Sequence, residues 1–191
     1  MLLRPEHSCH DAYCHAFHEG PAPLGRRGFV KLAALTAGAG LAASWIPNWA
    51  FASGTAEAIM LSCMDYRMVD PQAKFMSGKG LDGEYDHVVL AGASLGVVSK
   101  KFGKWHDVFW EHLDVAIKLH KVHQVIVIDH QDCGAYKLAL GDDAVDTPEK
   151  ELAAHTATIQ TFAKLVEKHH PNLPVEGYFM ALDGTAEPIE L

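Results

Sequence analysis

The feature that most constrains this chain is a series of four short apolar runs separated by longer helical patterns. The runs occupy residues 58–62, 87–91, 124–128 and 175–182. The second and third runs are rich in Val and Ile and lack polar alternation, which is typical of strands buried on both faces. Strands that alternate with helices predict an α/β fold, with an open, largely parallel central sheet of about four strands flanked by helices.

The segments between the runs have the periodicity of amphipathic helices. Across 105–117, apolar residues recur at spacings of three and four, which predicts one buried helix face. A second helix is predicted to begin at 147–148, where a capping threonine precedes a proline, and to end at the cations and proline of 168–171. The Asp-Pro pair at 70–71 predicts a shorter helix after the first strand.

Residues 1–52 have the pattern of an export leader, which leaves 53–191 as one folded domain. Arg26 and Arg27 precede an uncharged stretch rich in Ala and Gly, and a small-residue cleavage sequence follows at 50–52. This pattern resembles a twin-arginine signal read by export machinery, and it predicts a periplasmic protein. An uncleaved, membrane-tethering leader is the alternative. The His- and Cys-rich segment 7–18 precedes the arginines, and we assign it no function.

Charge excludes one class of partner. The net charge of the chain is −8, whereas nucleic-acid binding requires clustered Lys and Arg. We therefore expect no nucleic-acid partner.

Two polar clusters follow predicted strands, and each contains a cysteine. Cys63 ends the first run, and His130 and Cys133 follow the third. Because ligands bind at the carboxyl ends of strands in open parallel sheets, these side chains are expected to meet. Two thiolates and one imidazole form a zinc ligand set with a fourth position open. A Cys63–Cys133 disulfide or two buried free thiols are the alternatives.

The two clusters also resemble a known family. C-x-D-x-R at 63–67 and H-x-x-C-G at 130–134 are similar to the zinc-site motifs of the β-class carbonic anhydrases. The similarity extends over about residues 59–184, with Gly92 after the second strand and 175–178 in the closing strand as further points of likeness. The chain is most similar to short, exported members of that superfamily.

The resemblance implies one Zn²⁺ per chain, bound by Cys63, His130 and Cys133, with Asp65 and Arg67 as a catalytic dyad. It implies reversible hydration of CO2 to bicarbonate by a metal-bound hydroxide. Asp65 is implied either to orient that hydroxide or to bind the metal as a fourth ligand. It further implies a homodimer or higher homo-oligomer. Two alternatives stay open: hydrolysis of COS or CS2 at the same site, and a non-catalytic module that binds zinc or bicarbonate.

The chain departs from the family pattern at two places. Asp129 stands where the family often has Gly before the histidine, and Leu90-Ala91-Gly92 replaces a common Arg-Asn-Ala-Gly. A competing motif, G-x-S-x-G at 92–96, is that of a serine-hydrolase nucleophile elbow. It is weaker evidence, and Ser94 is expected instead to lie in a tight turn near the zinc pocket.

Overall fold

A computed structural model of the chain describes residues 54–191. The predicted leader, 1–52, and the His- and Cys-rich segment within it lie outside the described residues. Among residues 54–191, no helix combines the length and the apolar character that crossing a membrane requires.

The described residues form a five-stranded sheet in the order β2-β1-β3-β4-β5. The strands are β1 (Ala58–Cys63), β2 (Tyr85–Leu90), β3 (Val125–His130), β4 (Val175–Met180) and β5 (Ala186–Ile189). The first four strands pair in parallel, and β5 pairs antiparallel with β4. The predicted α/β fold with a largely parallel sheet is therefore confirmed. The sequence pattern missed β5, a short edge strand that contains Pro188, because an alternating apolar run is lacking there.

Five α-helices connect the strands of this sheet. They are α1 (Val69–Gly78), α2 (Ser94–Val98), α3 (His106–His120), α4 (Gly134–Leu140) and α5 (Pro148–His169). Short 3₁₀ turns lie at Tyr66–Met68, Lys100–Trp105 and Asp142–Ala144. The Thr147 hydroxyl accepts a hydrogen bond from the Lys150 amide and caps α5, as the Thr-Pro pair predicts.

Apolar side chains cover both faces of the sheet. One core cluster joins alternate residues of β1 and β3 to α3 and α5, through residues such as Phe109 and Phe162. The second joins the intervening residues to Met68, in the 3₁₀ turn that precedes α1, and to Met76 in α1. Helix α5 approaches β4 so closely that a Cβ atom on Gly177 would overlap Cγ2 of Ile159 in that helix.

Strand order decides which strands are fully covered. All six residues of β1 and of β3 are buried, but β2 lies at the sheet edge and is half exposed, with 46% of Val89 accessible. The prediction that the second run is buried on both faces is thus wrong: Val88 points to the covered face, whereas His87 and Val89 point to the opposite face and are exposed. The interior neighbours β1 and β3 end at Cys63 and His130. Because these strands are parallel, both residues lie at the carboxyl end of the sheet.

Candidate metal centre

Three buried side chains meet at the carboxyl edge of the sheet. One ligand atom each from Cys63, His130 and Cys133 lies within 4.8 Å of the other two. Cys63 ends β1, His130 ends β3, and Cys133 is the N-cap residue of α4. The turn between the last two contains Asp132 in a left-handed conformation, with φ at 56°. The structure therefore brings together the three residues that the sequence nominates as ligands.

The two sulfur atoms are spaced as zinc ligands are. Cys63 Sγ and Cys133 Sγ lie 3.9 Å apart, and both cysteines are free. Tetrahedral zinc with Zn–S bonds of about 2.3 Å holds two sulfurs about 3.8 Å apart, whereas a disulfide bond is about 2.05 Å long. The disulfide alternative is thus not what the structure contains, and the donor spacing fits a zinc ion.

The imidazole of His130 presents an unused nitrogen to the same space. Its Nδ1 donates to the carbonyl oxygen of Gln131 at 2.8 Å, which leaves Nε2 as the acceptor. That Nε2 is fully buried and has no hydrogen-bond partner among the described residues. A buried polar atom without a partner is costly. Metal-binding histidines commonly donate their other ring N–H to a carbonyl in this way.

The electrostatics of the sulfur pair favour a cation. The hydrogen bond from Cys133 is the main cause that lowers the pKa of Cys63 to about 4, against the opposing effect of burial. The Gly92 amide also donates to Cys63 Sγ, at 3.3 Å. The same sulfur–sulfur hydrogen bond, together with burial, raises the pKa of Cys133 above its usual range. These hydrogen bonds favour the thiolate form of Cys63, and a bound divalent ion would deprotonate the second sulfur.

Arg67 holds the Asp65 carboxylate beside these three side chains. Its Nε donates to Asp65 Oδ1 at 3.0 Å and its Nη2 to Oδ2 at 2.8 Å, while the Arg67 amide also donates to Oδ1 at 3.0 Å. These hydrogen bonds lower the pKa of Asp65 to about 2 and raise the pKa of Arg67. Asp65 Oδ2 lies 4.0 Å from His130 Nε2. The carboxylate is therefore ionised, fixed and adjacent to the candidate ligands.

Asp132 anchors the other side of the Arg67 guanidinium. Arg67 Nη1 donates to Asp132 Oδ2 at 2.9 Å, and Nη2 donates to the Asp132 carbonyl at 3.1 Å. The Asp132 amide in turn donates to Glu151 Oε1 at 2.5 Å. Sequence reasoning gave Glu151 no role, since an acidic residue in the first turn of a helix ordinarily indicates only a favourable helix dipole.

The G-x-S-x-G motif forms a buried turn with no exposed nucleophile. Gly92 and Ala93 have φ values of 80° and 43°, and Ser94, at the start of α2, is fully buried. The Ser94 hydroxyl donates to Asp129 Oδ2 at 2.7 Å and has no histidine partner among the described residues. A nucleophile elbow instead exposes its serine beside a base. The expectation of a tight turn is confirmed.

The fold and this donor set define a class of protein. A largely parallel sheet gathers a Cys-His-Cys group that could hold a metal ion, with an Asp–Arg pair beside it. The sequence model of a family described as "Putative carbonic anhydrase" matches residues 54–190. The chain belongs to that family, and the resemblance seen in the sequence is confirmed.

Two curated proteins and a solved structure are similar to this chain. An uncharacterized protein of Rickettsia conorii is 35% identical over 134 residues, which cover 70% of this chain and 72% of that protein. A second uncharacterized protein, from Rickettsia bellii, is 36% identical over 134 residues, which cover 70% of this chain and 82% of that protein. One of the solved structures of tetrameric β-carbonic anhydrases from Sordaria macrospora matches with a TM-score of 0.50 at 14% identity, covering 87% of this chain and 98% of that one. This last similarity shows the shared fold.

Proposed function

We propose that the protein catalyses the zinc-dependent, reversible hydration of CO2 to bicarbonate. The observation that carries the proposal is the buried Nε2 of His130, which has no hydrogen-bond partner within residues 54–191. This atom lies near two buried cysteine sulfurs and 4.0 Å from Asp65 Oδ2. Two thiolates and one imidazole leave a fourth zinc position open, as in catalytic zinc sites. Membership of the carbonic anhydrase family supports the same activity.

Each residue of the site has a distinct role in this proposal. Cys63, His130 and Cys133 would hold the metal, which when bound supplies the Lewis-acid chemistry that makes water nucleophilic near neutral pH. Asp65 accepts a hydrogen bond from the attacking oxygen and directs its lone pair toward the substrate carbon. Arg67 keeps both oxygens of Asp65 in place through its two parallel donors. Because the guanidinium engages the carboxylate on both oxygens, the geometry favours Asp65 as an orienting group over Asp65 as a metal ligand.

Metal analysis followed by stopped-flow CO2 hydration tests this function. The purified, reduced protein should contain about one zinc per chain and hydrate CO2, and Cys133→Ser should lose both properties. Lys79→Ala is a suitable control, because Lys79 pairs with Glu176 away from the site. A zinc-loaded protein without turnover would instead support a non-catalytic zinc or bicarbonate module. Turnover of COS or CS2 alone would support the hydrolase alternative, and absence of zinc would refute the proposal.

We also propose that residues 1–52 direct export to the periplasm through the twin-arginine machinery. The adjacent Arg26 and Arg27 support this proposal. Replacing both arginines with lysine should retain the protein in the cytoplasm, which cell fractionation would detect. An unchanged distribution would contradict the assignment.

We further propose a homodimer or higher homo-oligomer. Large apolar side chains close in sequence to the candidate ligands are exposed in the single chain, including 66% of Met64, 85% of Tyr66 and 69% of Leu138. Exposed apolar side chains, where they adjoin one another, are typical of a protein–protein interface. Light scattering coupled to gel filtration should give a multiple of the chain mass, and Tyr66→Glu should reduce it. A monomer at micromolar concentration would refute the proposal.

A further inference from the structure

The residue that departs from the family pattern, Asp129, is the centre of a buried hydrogen-bond network. Only 1% of it is exposed. Its carboxylate accepts hydrogen bonds from the Ser94 amide at 3.0 Å, the Ser94 hydroxyl at 2.7 Å and the Tyr136 hydroxyl at 2.5 Å. His155 Nδ1 adds a fourth, at 3.0 Å. A buried carboxylate is tolerated only when its oxygens are satisfied in this way.

The donors come from segments that also carry the metal centre. Ser94 directly follows the turn whose Gly92 amide donates to Cys63 Sγ. Tyr136 lies in the first turn of α4, and its amide donates to the carbonyl oxygen of Cys133 at 3.1 Å. Asp129 itself directly precedes His130 at the end of β3. His130 directly follows Asp129, Cys133 is hydrogen-bonded to Tyr136, and Cys63 is hydrogen-bonded to Gly92, two residues before Ser94. Each candidate ligand is therefore linked to the carboxylate through one short path.

We propose that Asp129 is a positioning residue that preorganises Cys63, His130 and Cys133 for the metal. The inference rests on the proposed metal site and deepens it. Cys63 comes from a different chain segment than His130 and Cys133, so the spacing of the three ligands depends on contacts that tie the two segments together. A single carboxyl group that accepts four hydrogen bonds ties these segments together in a more defined geometry than apolar packing does, because hydrogen bonds are directional. His155 lies in α5, so its hydrogen bond extends the network to that helix. Helix α5 packs on the face of the sheet that carries the core cluster with Phe109 and Phe162.

Zinc affinity is the measurement that isolates this role. Asp129→Asn keeps the shape of the side chain but replaces one carboxylate oxygen with an amide NH2 group. This group is a hydrogen-bond donor, and it would face the donors that bind the carboxylate in the unmodified protein. In the full, reduced chain, zinc affinity measured by competition with a chromophoric chelator should fall about 10- to 100-fold, as for other residues that orient metal ligands. The absorption bands of the cobalt(II)-loaded variant should also change, because they report ligand geometry directly.

A control on the opposite face separates positioning from general stability. Met76 is fully buried in α1 and packs in the other core cluster, so Met76→Ala should lower the melting temperature without changing zinc affinity or the cobalt spectrum. Wild-type affinity and an unchanged spectrum in Asp129→Asn would overturn the inference. Equal loss of affinity in Met76→Ala at matched stability would also overturn it, since affinity would then follow stability alone.

If Asp129→Asn does not fold, a second variant tests the positioning role of Asp129. Tyr136→Phe removes a single hydrogen bond to the carboxylate and should weaken zinc binding in the same direction by a smaller factor. Wild-type affinity in that variant would then refute the positioning role. Failure of the unmodified protein to bind zinc is a different result, because it would refute the proposed metal site itself.

Discussion

Removing the Arg67 side chain tests how the site controls its carboxylate. In Arg67→Ala, Asp65 loses the donors that engage its two oxygens at 3.0 and 2.8 Å and keeps only the backbone amide at 3.0 Å. The carboxylate can then rotate toward the metal position, since its Oδ2 already lies 4.0 Å from His130 Nε2. We expect the variant to keep its zinc and to lose most of its turnover.

The size of the restraint follows from the pKa of Asp65. Arg67 is the main cause that lowers this pKa from its ordinary value of 3.8 to about 2, which corresponds to about 2 kcal/mol at about 1.4 kcal/mol per unit. The Arg67 side chain is 32% exposed, so solvent screening reduces this to about 1 kcal/mol. Because the folded pKa lies below the unfolded one, the pair stabilises the fold above about pH 4, and this contribution disappears as the pH falls toward 2.

Stopped-flow CO2 hydration and metal analysis of the same samples measure the effect. A misplaced orienting group costs about 100-fold in rate, so turnover should fall by about that factor while about one zinc per chain remains. Arg67→Lys keeps the charge but not the planar fork, and it should recover only part of the rate. Lys79→Ala is again the control, because Lys79 pairs with Glu176 and not with Asp65, Arg67 or Asp132. Full turnover in Arg67→Ala would refute the role of the pair.

Three further predictions follow from the same geometry. Activity should rise between about pH 6 and about pH 9, because two thiolates neutralise the metal charge and leave its water less acidic; a flat stopped-flow profile would contradict this. In a variant whose other two cysteines are replaced (Cys9→Ser, Cys14→Ser), Cys63 and Cys133 should be alkylated only after zinc is chelated. Mass spectrometry measures this, and alkylation of the zinc-loaded protein would contradict the prediction. Gly92→Ala should lose about 1–3 kcal/mol of stability in thermal denaturation, since φ there is 80° and the new Cβ would lie 3.0 Å from Ala135 Cβ. Gly103→Ala, which has open space around it, serves as its control.

The sequence predicted the elements well where burial is periodic. The strand that ends at Cys63, the strand that ends at His130 and the helix capped by Thr147 all lie where the pattern places them. The candidate ligands could also be nominated, because the ends of parallel strands share one edge of a sheet. The pattern did not reveal that the second strand lies at the sheet edge, since Val- and Ile-rich runs are alike in central and edge strands.

The remaining features of the site depend on contacts between distant segments. The sequence by itself determined which residue types follow which strand, because apolar periodicity is a local property of the chain. Tertiary structure alone decided that Asp132 faces Arg67, that Glu151 reaches the Asp132 amide, and that four donors converge on Asp129. A polar side chain in a linear sequence has no fixed direction. Strand order and helix packing determine which buried donor that side chain meets. They also determine which polar atoms are left without a partner among the described residues, such as Nε2 of His130.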